Sequence, residues 1–83
     1  MTRKHFEMIA KVLSDRARAI SNSTATNEKK AYALNELRDI MHDFSVVFHR
    51  LNSNFNEVKF FEACKVDSYL HNYTIELSNK EAN

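Results

Sequence analysis

The sequence predicts a small all-α protein: an antiparallel helix hairpin with a long central helix, followed by one or two short C-terminal helices. Three observations point there. The 83 residues contain neither Gly nor Pro, so turns needing positive φ fall on Asn, Asp or Ser, and tight hairpins are few. The uninterrupted stretch EKKAYALNELRDIMHDFSVVFHRL, residues 28–51, places Leu34, Leu37, Met41, Phe44, Phe48 and Leu51 at steps of three and four. That is the spacing of a helix that keeps one apolar seam turned toward a partner, and it would run about 36 Å. Finally, hydrophobic residues make up 43% of the chain and charged ones 28%, enough for a modest core under a well-solvated surface. We expect a single helical domain over residues 1–78 and a frayed tail over 79–83.

The first helix is expected over residues 3–20. Thr2 can cap it, and Phe6, Ile9, Leu13, Ala17 and Ile20 recur at helical spacing with Ala10 filling in, opposite Glu7, Lys11, Asp15 and Arg18. Arg3, Lys4 and His5 in its first turn oppose the helix dipole, at a cost of a few tenths of a kcal/mol each. Residues 21–27, SNSTATN, are polar and aperiodic and read as a linker. A connection of that length implies an antiparallel hairpin. Thr26 or Asn27 caps the long helix, with Glu28 well placed in its first turn.

After Asn52-Ser53-Asn54 comes FNEVKFFEAC, a third helix capped by Asn56. Phe55 precedes the cap and Phe60 sits at the fourth helical position, the arrangement of a hydrophobic staple. Phe60, Phe61 and Cys64 form its apolar side. In the tail, Asp67 as cap with Leu70, Tyr73 and Leu77 at helical spacing predicts a fourth helix, fraying after Ser78. The alternation of YTIEL offers a strand instead, but nothing else in the chain could pair with it.

The charge balance of +1 argues against a general polyanion binder, yet the charges are unevenly placed. Residues 1–30 hold Arg3, Lys4, Lys11, Arg16, Arg18, Lys29 and Lys30 against three acids, whereas residues 52–83 hold three lysines against Glu57, Glu62, Asp67, Glu76 and Glu81. A basic front and an acidic back can steer a partner or pair with each other. Cys64 is the sole cysteine, which excludes an internal disulfide and a thiolate zinc site. No run approaches the ~18 apolar residues of a membrane span, and the N-terminus shows no secretion pattern; the cytoplasm, of a bacterial host cell, is the expected compartment.

The opening TRKHFEMIAKVL resembles that of a family of short bacteriophage and bacterial open reading frames. These begin with Thr-Arg-Lys, an aromatic residue and an Ile-Ala pair, and close with an Asn-rich turn, Phe, Phe and Ala-Cys. Asn52, Asn54, Phe55, Asn56, Phe60, Ala63 and Cys64 match that ending in order. The resemblance covers the first ~14 residues and residues 52–66. Family members often carry Gly after the Cys as a helix stop, where this chain has Lys65. The resemblance implies a small helical protein of phage type, and no activity travels with it. Phage proteins of this size often act as accessory or host-takeover factors, inhibitors of bacterial defence such as anti-CRISPR proteins among them.

Asp39, His42, Asp43 and His49 are the best candidates for a chemical site. A carboxylate-x-x-His pair serves as half of a di-metal centre in helix bundles, but such centres draw a second pair from another helix. His5 and His71 have no carboxylate three residues before them, so His42 and His49 read better as solvated flanks of the seam. Cys64 follows two phenylalanines and reads as a small core residue rather than a nucleophile. Without Gly there is no phosphate-cradling loop or oxyanion turn. The expectation is a protein without enzymatic activity or cofactor.

Binding remains. The seven cations of the front half can line a nucleic-acid surface, although a reader of DNA usually has a shorter helix connection and a more basic balance. Tyr32, Ile40, Val46 and Val47 give the long helix a second apolar side. That side is either a docking or homodimer surface or is covered by Leu70, Tyr73 and Leu77 of the fourth helix. The expected partner is a host protein or complex, gripped by the basic front, by Tyr32 and Ile40, or by Glu57, Glu62, Asp67 and Glu76 entering a groove meant for phosphate. The alternative is a small nucleic-acid-binding or transcription-regulating module.

Overall fold

A computed structural model of the chain describes residues 2–73. Within them lie α1 (Arg3–Ser21), α2 (Asn27–Leu51) and α3 (Glu57–Cys64), followed by a fourth helix, α4, whose described part covers 66–73. The described residues form no strand. The expected tail fraying, Glu76, Leu77 and nearly all of YTIEL lie outside them.

Helix boundaries follow local chemistry. Thr2 starts α1, and its backbone N–H donates to Nδ1 of His5 at 3.1 Å, so an imidazole fills the capping-box role usually taken by Glu or Gln. The Thr26 hydroxyl accepts from the Lys29 N–H at 3.2 Å, and Asn56 Oδ1 from the Lys59 N–H at 3.1 Å, which satisfies otherwise orphaned donors at the starts of α2 and α3. Glu28 and Glu57 sit in those first turns, with His49 and Arg50 in the last turn of α2, both favourable to the helix dipole.

The two long helices are antiparallel. Phe6 near the start of α1 meets Phe48 near the end of α2, ring centroids 4.8 Å apart. At the other end the Lys30 ammonium donates to the carbonyl of Ser21 at 2.8 Å. α1 contributes Ala10, Leu13 and Ala17 to the core, and α2 contributes Leu34, Leu37, Met41, Ser45 and Phe48. Alanines at two of the three buried α1 positions let backbones approach closely.

The buried seam of α2 departs from the expected one toward its C-terminal end. Ser45 is buried, whereas Phe44 and Leu51 are exposed. A straight helix turns 3.6 residues per turn, so a seam repeating every 3.5 drifts about 20° per heptad. By the fifth turn the inward position has moved from Phe44 to Ser45, and Leu51 has rotated out.

All six phenylalanines of the sequence join one ring network at this end. Phe48 is its hub, with centroids 4.8 Å from Phe6, 5.7 Å from Phe44, 5.3 Å from Phe55 and 5.2 Å from Phe60. The Phe55–Phe60 staple forms at 5.5 Å, and Phe61 joins through Phe60 at 6.0 Å.

α3 ends at Lys65, which takes the left-handed conformation (φ 60°, ψ 8°) and is the one positive-φ residue among those described. That reversal puts the flanking Cys64 and Val66 both fully inside. α4 therefore begins at residue 66 rather than after an Asp67 cap. Asp67 instead lies in its first turn and accepts from Arg38 Nε at 2.8 Å. α4 returns to the far end of the hairpin, where the Tyr73 hydroxyl meets the Ser21 hydroxyl at 2.7 Å. It leaves Tyr32, Ile40, Val46 and Val47 exposed.

Candidate functional site

An open groove of about 430 Å³ lies at the aromatic end, between the first two turns of α1, the α2–α3 turn and α3. Phe6, Phe55, Phe60 and Ala63 supply its apolar floor, and Arg3 and Lys59 stand on its rim. The turn holding it together is built from asparagines. Asn52 Oδ1 accepts from the Asn54 N–H at 3.0 Å, and its carbonyl accepts from the Phe55 N–H at 3.0 Å. These local bonds replace the positive-φ glycine that such a corner often uses. They tuck Phe55 under the groove as its buried base, next to Phe6 at 4.9 Å.

The rim is mildly cationic. Arg3 is paired with Glu7 at 3.1 Å, so their charges offset. Lys59 has no ion pair among the described residues, and its ammonium is the rim charge they leave uncompensated. The groove suits an apolar side chain flanked by a carboxylate; its asparagines add hydrogen-bonding capacity on one wall.

Several of the other charges singled out in the sequence are occupied within the chain. Asp15 binds Lys11 at 3.0 Å and Arg18 at 3.2 Å. The Lys11 hydrogen bond holds its carboxyl below the usual range against the opposing effect of desolvation, with the charges of Lys11 and Arg18 adding to the lowering. The Lys30 ammonium also lies 5.8 Å over the ring of Tyr73. Lys4, Arg16 and Lys29 are exposed and form no ion pair among the described residues. Arg16 lies about 120° around α1 from Lys4 and Lys11, so the basic front is not one surface.

On the acidic side, Glu57 meets His49 at 3.3 Å and Asp67 meets Arg38, while Glu62 is exposed and without an ion pair among the described residues. Surface pairs of this kind are worth ~0–1 kcal/mol each. Their consequence is to reduce the charge available to a partner.

The four-residue chemical candidate is not assembled. The His42 ring packs on Phe61 with centroids 4.6 Å apart, and the His49 ring stands edge-on to Phe55 at 5.1 Å. His42 is thus half-buried against α3, whereas His49 stays exposed as a solvated flank while its ring touches Phe55. Among the described residues no three His, Cys, Asp or Glu side chains are grouped to hold a metal ion. Cys64 is fully buried; burial, with Asp67 adding to the effect, pushes its thiol up to about 12, which keeps it protonated and un-nucleophilic at neutral pH.

Sequence reasoning missed the groove because it joins residues 3–10 to 52–63. Among the described residues no helix is long and apolar enough to cross a membrane. No protein-family model matches the chain, and no curated protein or solved structure matches it significantly.

Proposed function

We propose that this chain is a non-enzymatic binding protein whose groove receives a segment of another protein bearing an apolar side chain next to an acid. The observation that carries the reading is the groove itself: an aromatic floor with an uncompensated lysine on its rim. Concave apolar sites with a few polar groups are the usual form of a recognition site, and the small volume fits one or two side chains rather than a folded surface. The resemblance of the two groove-forming stretches to phage and bacterial reading frames supports a host protein or complex as the partner. It also supports an accessory role such as inhibition of a bacterial defence system. Intramolecular pairing of Arg3, Lys11, Arg18 and Lys30 weighs against the nucleic-acid alternative.

The test is capture from bacterial lysate with the wild-type chain and with Ala63→Arg, which fills the groove from the exposed side of α3. One dominant protein retained by the wild type and lost with the variant, then displaced by an acidic peptide copied from it, supports the reading. Equal capture by both chains, or none, refutes it. Binding to mixed duplex DNA that weakens steeply with salt would transfer the assignment to the nucleic-acid module.

A further inference from the structure

The core accounts for one apolar stripe of α2, and the helix carries a second. Ile40, Phe44, Val47 and Leu51 recur at steps of four, three and four. They are 47%, 36%, 48% and 58% exposed, high for four large apolar side chains aligned on one helix. At about 100° per residue they fall within a band about 60° wide, roughly 90° around from the buried stripe and about opposite His42 and His49. Since those two histidines face Phe61 and Phe55, α3 lies on the far side of α2 and leaves the stripe accessible. The stripe is about 16 Å long, and its step pattern is that of a helix seam which meets another helix.

We infer that this stripe is the contact of an antiparallel homodimer in which α2 packs on α2 of a second copy. The flanking charges select both the occupant and the direction. Asp43 and Arg50 lie one heptad apart on the same side of the stripe, are exposed, and form no ion pair among the described residues. In an antiparallel pairing with its two-fold axis between residues 45 and 46, Ile40 faces the partner's Leu51 and Phe44 faces the partner's Val47. The same register brings Asp43 against the partner's Arg50, twice over by symmetry. A parallel pairing would place Asp43 against the partner's Phe48 position, where no cation waits. The surface is thus complementary to itself in one orientation only. The inference is independent of the groove, which lies on other residues.

The experiment is sedimentation equilibrium on the full chain from about 1 μM to about 1 mM, the range in which a small interface associates. The expected result is a concentration-dependent rise from the 9.7 kDa chain mass toward twice that value. Val47→Asp should hold the mass at the monomer value with an unchanged helical circular dichroism spectrum. Asp43→Arg and Arg50→Asp should each weaken the dimer about five-fold or more, whereas the double reversal restores it, because like charges across a seam repel and exchanged ones attract. A wild-type chain that stays monomeric throughout overturns the inference, whatever else covers the stripe. A double reversal no tighter than the single ones overturns the antiparallel register.

Discussion

Replacing Lys65 with Gly should stabilise the protein. Lys65 joins α3 to α4 at φ 60°, where the Cβ of an L-residue crowds the neighbouring carbonyl at a cost of ~1–2 kcal/mol that Gly escapes. The conformation is kept because Cys64 and Val66 on either side are both fully buried and the Lys65 N–H still donates to the Phe61 carbonyl at 3.2 Å. Gly gives back part of the gain, since it frees the unfolded chain by ~0.4–1 kcal/mol. The net expectation is a gain of about 0.5–1 kcal/mol, or about 3–6 °C in Tm for a domain of this size. Thermal melts of Lys65→Gly, Lys65→Ala and Lys65→Val would check it: the Ala variant should stay within ~0.5 kcal/mol of wild type, and the β-branched Val variant should fall below it. A Gly variant melting at or below wild type would show that the positive φ is not a source of strain.

Three further outcomes follow from the packing. Phe48→Ala empties the hub of the ring network and should cost ~3–5 kcal/mol, much of the ~4–12 kcal/mol expected for 83 residues, while half-exposed Phe44→Ala should cost far less; equal shifts in urea midpoint would contradict the assignment of Phe48 as the hub. Tyr73→Phe removes the hydroxyl that meets Ser21 and should lose ~0.5–1.5 kcal/mol, with faster amide exchange confined to the linker end; protection unchanged there would refute the tether. For Cys64 the folded pKa, about 12, lies above its ordinary value of 9.0, so its contribution is complete below about 9 and declines as pH rises toward 12. Urea melts at alkaline pH should show that decline, Cys64→Ala should lack it, and a native thiol that reacts with a disulfide reagent as fast as an unfolded one would exclude it.

The helices and their caps were legible because both are local: Thr26, Asn56, the Phe55–Phe60 pair and the spacing of Leu34, Leu37 and Met41 act over one or two turns. What the sequence concealed depended on accumulated geometry. A shift of one residue in the seam, invisible at Leu34, exchanges Phe44 for Ser45 about three turns later. The start of α4 was misplaced because an Asp near a helix start reads as a cap, whereas here a lysine in a left-handed conformation turns the chain two residues earlier. Charge asymmetry read as an interaction surface, yet Lys11, Arg18, Lys30, Glu57 and Asp67 find partners in the same chain. Glu76 and Leu77 fall outside the described residues, and Tyr32 and Ile40 are exposed. The groove could not be derived from spacing, since its two walls are some fifty residues apart.

The rings are gathered at one end of the hairpin, and the opposite end is held, among the described residues, by the aliphatic contacts of Ala17, Ile20 and Leu34 and by the polar ties of Ser21, Tyr73 and Lys30. Stability is therefore graded along the molecule. Aliphatic and polar ties near the linker should release first, in fluctuations that never reach the phenylalanines. The groove is moulded from the part of the protein that yields last, so a ligand would meet a surface already set in shape.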